Sequence, residues 1–150
     1  NGNPLYDAIP KTSEALDERT AYIMLGMLKG VIDRGTGQRL RRALPYGNIP
    51  YPIAGKTGTT QSNSDGWFIG LTPDLVTGVW VGGEERSIRF ASTLYGQGAN
   101  MALPIWGYYM NRVYRDTDID ISKEDFEKPN FDLGINLDCE ETSNGPNFDQ

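Results

Sequence analysis

Histidine is absent from the 150-residue sequence, and cysteine occurs once, at Cys139. Without histidine, the chain cannot carry Ser-His-Asp or Cys-His catalysis or histidine-ligated zinc. A single cysteine also excludes an internal disulfide and a cysteine-based metal site. Acid–base chemistry within this chain must therefore come from lysine, tyrosine or carboxylate groups.

Long apolar runs are also missing, and no stretch approaches the ~20 residues of a membrane-spanning helix. The first residues lack the charged, apolar and small-residue succession of a signal peptide. Apolar residues make up 38% of the chain, as in a globular domain long enough for one core. Because the chain begins at Asn1 without a methionine, we expect it to be a piece of a longer protein. Because it lacks long apolar runs, we expect this piece to be soluble.

Negative charge is concentrated near the C-terminus. Residues 116–150 hold 11 acidic and 2 basic side chains, which gives −9, whereas residues 1–115 hold 9 acidic and 12 basic ones, which gives +3. Nucleic acid is therefore not expected as a partner, because phosphate binding needs a basic surface. The acidic segment is predicted to be a solvated, loosely packed tail.

Two helices are predicted from apolar residues at helical spacing. The first spans residues 16–35, with Asp17 as its N-cap, and the second spans residues 100–115, with Pro104 in its first turn. Between them, residues 36–50 predict a loop with a basic surface patch at Arg39, Arg41 and Arg42. Residues 1–10 predict a turn and a short strand.

Three strand-like runs follow at 53–58, 67–71 and 75–81, and the third is rich in valine and aromatic residues. Thr72-Pro73-Asp74 predicts a tight turn between the last two. The fold class is therefore α+β, an antiparallel meander with helices packed on it. Trp67, Phe68 and Trp80 are predicted core residues, and Ser62 and Ser64 are predicted to lie in a solvated loop.

The segment Ala54-Gly55-Lys56-Thr57-Gly58-Thr59-Thr60 is compatible with two chemistries. A phosphate-binding loop would need a glycine five residues before Gly55, where Pro50 stands, and a helix directly after the lysine. A Lys-Thr-Gly substrate strand needs neither. Its lysine supplies positive potential, its threonine can bond a carboxylate, and its glycine lets a peptide lie against the strand edge.

The wider sequence resembles the transpeptidase domain of class A, bifunctional penicillin-binding proteins. The similarity continues through Asp65-Gly66-Trp67-Phe68-Ile69-Gly70-Leu71-Thr72-Pro73 and Val76-Thr77-Gly78-Val79-Trp80-Val81-Gly82. It implies that residues 1–115 are the C-terminal portion of such a domain and residues 116–150 an acidic C-terminal tail. The fold implied is part of the penicillin-binding-protein and β-lactamase-like transpeptidase fold.

The resemblance also implies site residues. Lys56 would be the catalytic group that holds the electropositive end of an acyl-transfer site. Thr57 and Thr59 would contact the terminal carboxylate of a peptide or a β-lactam, and the Thr59 N–H would complete an oxyanion hole. Gly58 would keep the strand edge open, and no metal or organic cofactor is implied.

The family's nucleophile, in a Ser-x-x-Lys helix turn, and its Ser-x-Asn motif are both absent. Both normally precede the Lys-Thr-Gly strand, so an upstream half is expected to supply them, and the segment alone is expected to be inactive. The parent implied is a peptidoglycan transpeptidase with an upstream glycosyltransferase. It would be anchored in the bacterial cytoplasmic membrane with this domain on the periplasmic side.

The partners implied are a D-Ala-D-Ala peptidoglycan stem, β-lactam antibiotics and the upstream half of the domain, with a dimer of the segment as a further possibility. Two other hypotheses remain open. The strand edge could capture a peptide or partner protein without chemistry. Alternatively, the segment could belong to a soluble β-lactamase, which the long hairpin from Trp67 to Gly82 and the tail do not favour.

Overall fold

The computed structural model describes residues 13–135, so the predictions for residues 1–10 and Cys139 lie outside the described residues. The helices are α1 (Glu18–Asp33), α2 (Arg39–Arg42), α3 (Thr93–Gly96) and α4 (Gly98–Val113), and the strands are β1 (Ala54–Thr59), β2 (Asp65–Leu71) and β3 (Val76–Gly82). The strands form one antiparallel sheet in the order β1-β2-β3. The predicted α+β class and the meander are confirmed.

Helix α1 begins where the sequence predicts. The Asp17 carboxylate accepts hydrogen bonds from the Thr20 N–H, at 3.0 Å, and from the Thr20 hydroxyl, at 2.7 Å. These bonds stabilise the charged form and hold the pKa of Asp17 below its ordinary value. At the other end of the helix, Ile32 is fully buried, and α1 packs along β1.

One face of the sheet is covered by α4. The cross-strand set Thr57, Phe68 and Val79 points to this face. Trp106 of α4 is fully buried against it, with its ring edge-on to Phe68 at a centroid distance of 5.2 Å. The Trp106 indole N–H donates to the Thr77 hydroxyl at 2.6 Å, which satisfies its polar atom. The core therefore lies between α4 and this face.

The opposite face of the sheet carries Trp67 and Trp80. Their side chains are 45% and 46% exposed, and their rings lie 6.5 Å apart on neighbouring strands. The prediction of a core position is confirmed for Phe68 and wrong for both tryptophans. Because successive strand residues point to opposite faces, only one of two consecutive aromatics can face α4.

Helix α4 starts two residues earlier than predicted, at Gly98. Pro104 therefore lies in the second turn of the helix, and the prediction that it lies in the first turn is wrong. A proline there cannot bond to the carbonyl of Asn100. The packing of α4 compensates for this loss, since Leu103, directly before the proline, and Trp106, two residues after it, are fully buried in the core.

The predicted loop over residues 36–50 contains the short helix α2. Arg41 is not part of a surface patch, because its guanidinium donates to the Asp33 carboxylate at 2.9 Å and to the Tyr51 carbonyl at 2.6 Å. Arg41 also bonds to the Ile49 carbonyl at 2.8 Å. This side chain therefore ties the end of α1 to the segment that leads into β1.

The described part of the acidic segment packs along the domain, although residues 116–135 contain no helix or strand. The Ser122 N–H donates to the Asp74 carboxylate at 2.6 Å, and the Lys29 amino group pairs with the Asp125 carboxylate at 2.6 Å. Burial by itself would raise the pKa of Asp125, but hydrogen bonds from Lys29 and the Phe126 N–H outweigh it and lower that pKa. These contacts differ from the predicted loosely packed tail.

Tyr114, at the end of α4, supports a prediction about alkaline stability. Burial raises the pKa of its phenol to about 12, and its hydroxyl has no hydrogen-bond partner among residues 13–135. An unfolded tyrosine loses its proton near pH 10, so the contribution of Tyr114 to stability is lost as pH rises from ~10 to ~12. Tyr114→Phe should keep or raise stability by up to about 1 kcal/mol at pH 7 and reduce the alkaline loss.

Urea unfolding at pH 7 and pH 11 measures this effect, with the exposed Tyr95→Phe as control. A loss above about 1 kcal/mol at pH 7 would mean that the Tyr114 hydroxyl makes a stabilising bond.

None of the helices within residues 13–135 combines the length and the apolar character needed to cross a membrane.

Candidate functional site

The Lys-Thr-Gly segment lies on β1, which is an edge strand in the described part of the chain. Along β1, Lys56 and Thr59 are exposed, Thr57 is buried at 9% exposure, and Gly58 is intermediate. Lys56 and Gly58 share the sheet face of Trp67, whereas Thr57 points to the face covered by α4. The predicted site residues therefore share a strand edge rather than one face of the sheet.

Lys56 is the cation of this strand. Its amino group donates to the Thr57 carbonyl at 2.6 Å. The two ion pairs formed among residues 13–135 are Lys29–Asp125 and Arg41–Asp33, so neither uses Lys56. The positive charge on β1 is consequently not neutralised by a carboxylate in the described part of the chain.

Thr57 is linked to the turn that follows α1. Its hydroxyl lies 2.8 Å from the Thr36 hydroxyl, and one of the two donates to the other. Thr36 also lines a cavity of about 350 Å³ together with Arg39 and Arg42. The sequence shows a Gly35-Thr36-Gly37 turn, but only the fold brings that turn beside Thr57.

Thr59 contacts the start of α4. Its hydroxyl oxygen accepts a hydrogen bond from the Gly98 N–H at 3.0 Å. The hydroxyl proton stays available for a second acceptor, because a threonine hydroxyl both donates and accepts. Gly98 is buried against the carbonyl oxygens of Gly58 and Trp67. The first residue of α4 therefore packs directly against the backbone of β1.

The loop after β1 is held by Thr60. Its hydroxyl lies 3.0 Å from the Ser64 hydroxyl and accepts from the Asp65 N–H at 3.1 Å. Ser62 is exposed, as predicted, but Ser64 is buried, and the solvated-loop prediction is wrong for it. Ser64 bonds within this loop and Lys56 bonds to Thr57, so the described residues contain no Ser-Lys pair.

Arg86 and Arg89 were not singled out from the sequence. With Thr59 and the following loop, they line a cavity of about 590 Å³ at the end of β1. The only available signal was their position in a glycine-rich loop after β3, and it does not reveal that this loop returns to β1. Within residues 13–135, no group of three or more histidine, cysteine or acidic residues is arranged to hold a metal.

Known proteins with similar sequences are penicillin-binding proteins 1A. The chain is 36% identical to that of Aquifex aeolicus over 137 residues, which is 91% of this chain and 17% of the relative. It is 48% identical to that of Pseudomonas aeruginosa over 101 residues, which is 67% of this chain and 11% of the relative. The chain thus spans a small part of these curated relatives.

A solved structure shares the fold of this chain. The 2.6 Å crystal structure of penicillin-binding protein 1A from Haemophilus influenzae matches 71% of this chain and 16% of its own chain, with a TM-score of 0.57 and 24% identity. No known family model matches the sequence. Identity to the relatives over most of its length nevertheless places this chain among the penicillin-binding proteins, as a segment of a longer member of that family.

Proposed function

We propose that the protein containing this chain is a peptidoglycan D,D-transpeptidase, and that this segment supplies its substrate strand. The observation that carries the proposal is the exposed Lys56, which lies on an edge strand and is followed by Thr57, Gly58 and Thr59. No carboxylate among residues 13–135 neutralises its charge. An edge strand can pair with an extended peptide, and a nearby cation favours the anionic end of that peptide.

In the proposed reaction, a serine from outside the described residues attacks the carbonyl carbon between two D-alanines. An ester bond to the serine forms, the peptide bond breaks, and the terminal D-alanine leaves with a proton on its nitrogen. An amine of a second stem then attacks the ester, which forms the cross-link and restores the serine. β-Lactams would enter the same site as mimics of the D-Ala-D-Ala end.

The residues of β1 have separate roles in this proposal. The Thr59 N–H donates to the carbonyl oxygen as negative charge develops on it. Lys56 supplies positive potential at the reacting centre, and the hydroxyls of Thr57 and Thr59 hold the terminal carboxylate. The bonds that fix these hydroxyls, to Thr36 and from Gly98, would position them before the peptide arrives.

The proposal extends to the parent protein. An upstream half would bring the Ser-x-x-Lys and Ser-x-Asn motifs, and a glycosyltransferase domain would lie before them. A membrane anchor would place the domain on the periplasmic side of the cytoplasmic membrane. Each of these features is absent from the 150-residue sequence and would be checked by reading the encoded sequence upstream.

Replacing Lys56 by alanine should weaken the binding of a peptide that ends in D-Ala-D-Ala by about tenfold, because a charge-assisted contact to its carboxylate is lost. Isothermal titration of the chain with the peptide measures this. The exposed Lys128→Ala is the matched control, since it removes the same charge from the acidic segment.

The same peptide with an amidated C-terminus distinguishes a substrate strand that recognises the carboxylate from a binding module that does not. If the amide binds as well as the acid, and Lys56→Ala changes neither affinity, the strand captures peptides without recognising their carboxylate. That result would favour the binding-module alternative.

A further inference from the structure

The cavity at the end of β1 is lined mostly by groups that donate hydrogen bonds. Two exposed arginines, Arg86 and Arg89, face the loop that begins at Thr59, and the lining is completed by Thr60, Gln61, Ser62 and Ser64. No carboxylate is among these lining residues, although Glu84 and Glu85 precede Arg86 in sequence. Two guanidinium groups beside several hydroxyls suit a carboxylate.

Both walls of the cavity are anchored. On one side, the Thr60 hydroxyl bonds with Ser64 and with the backbone of Asp65, which fixes the loop to β2. On the other side, the Phe90 N–H donates to the Asn63 carbonyl at 3.1 Å, next to Arg89. The arginines therefore sit on a segment that is bonded to the loop after β1, rather than on an independent loop.

An apolar cavity of about 260 Å³ lies next to the cationic one. It is lined chiefly by Val81, Ile88 and Phe90, and it shares Ser64 and Arg89 with its neighbour. The two together suit a side chain with an aliphatic stem and a carboxylate.

The proposed function predicts which residue of a bound peptide lies at this cavity. A donor peptide with its terminal carboxylate at Thr57 and its reacting carbonyl at Thr59 runs antiparallel to β1. At ~3.3 Å per residue, the residue before D-Ala-D-Ala lies beyond Thr59, beside Arg86 and Arg89. We propose that these two arginines bind a second carboxylate, carried by the residue that precedes D-Ala-D-Ala in the donor peptide. This inference rests on the proposed function.

Two peptides test the proposal. Both end in D-Ala-D-Ala with a free C-terminus, and the preceding residue is glutamate in one and glutamine in the other. The chain should bind the glutamate peptide about tenfold more tightly than the glutamine peptide. This preference should vanish in the double variant Arg86→Gln, Arg89→Gln and decline as salt is raised.

The double variant Arg112→Gln, Arg115→Gln is the matched control. It removes two charges from exposed arginines at the C-terminal end of α4, the end opposite to Gly98 and the site, and should keep the preference. All four arginines are exposed, so both double variants should keep their thermal unfolding midpoints.

The outcomes separate this inference from the proposed function. Equal binding of the two peptides, with both weakened by Lys56→Ala, would overturn the role of the arginines and leave the substrate strand in place. A glutamate preference that survives in the Arg86→Gln, Arg89→Gln variant would also overturn it. If neither peptide binds to the chain, both proposals fail.

Discussion

Replacing Phe68 by alanine is expected to lower the free energy of unfolding by about 3–5 kcal/mol, because it leaves a cavity between the sheet and α4. Phe68 is fully buried and meets Trp106 edge-on. The same change at the adjacent Trp67 should cost only about 1 kcal/mol, since that ring is 45% exposed and packs mainly against Trp80. Urea denaturation of the two variants measures the contrast.

The comparison tests the register of the sheet as well as the energetics. A slip of one residue would exchange the faces of β2 and bring Trp67 against α4 in place of Phe68. Comparable losses for Phe68→Ala and Trp67→Ala would therefore contradict the pairing of Phe68 with Thr57 and Val79. Trp80→Ala provides a second exposed control, because it lies opposite Trp67 on the same face.

Replacing Gly98 by alanine is expected to lower the free energy of unfolding by about 3 kcal/mol and to weaken peptide binding to β1. A Cβ at Gly98 would overlap the carbonyl oxygens of Gly58 and Trp67, which are backbone atoms that cannot turn aside. Helix α4 would have to retreat from the strand. The hydrogen bond from the Gly98 N–H to the Thr59 hydroxyl would then lengthen, and a hydroxyl assigned to the substrate would lose its support.

The matched control is Gly30→Ala in α1. A Cβ at Gly30 would meet no atom within 4 Å, so alanine should stabilise the helix by about 0.5–1 kcal/mol. Opposite signs for the two substitutions are expected in thermal or urea unfolding. A neutral result for Gly98→Ala in both stability and peptide titration would contradict the close contact between α4 and β1.

Several features could be predicted because they depend on neighbours in the sequence. The Asp17 cap needs only Thr20, three residues away, and the turn after β2 needs only Thr72 and Leu75, whose backbone groups bond at 2.8 Å. Strand-like runs bounded by turn residues predicted the three strands to within two residues of their ends. The family resemblance rests on the same kind of local evidence, because its motifs are contiguous.

Other features depend on which elements meet in space, and the predictions failed there. The faces of Trp67 and Phe68 depend on where α4 packs, and both are large aromatic residues, so residue type does not say which ring is buried. The buried state of Ser64 depends on the bonds that close its loop onto Thr60. The bonds of Arg41 reach residues up to ten positions away along the chain, which composition alone cannot reveal.

The Lys56-Thr57-Gly58 strand shows both kinds of feature, those set by the sequence and those set by the tertiary structure. The sequence by itself excluded histidine-based catalysis and a phosphate-binding loop and singled out the Lys-Thr-Gly motif, because the absence of histidine, the Pro50 position and the contiguous motif are properties of residue order. Only the tertiary structure decided that β1 is an edge strand and that α4 covers the face of Thr57 rather than that of Lys56. It also brings Thr36, Gly98 and the Arg86–Arg89 loop to this strand from three separate segments. The physical reason is that the residue types of a motif are local, whereas the groups that position and extend it are brought together by long-range packing.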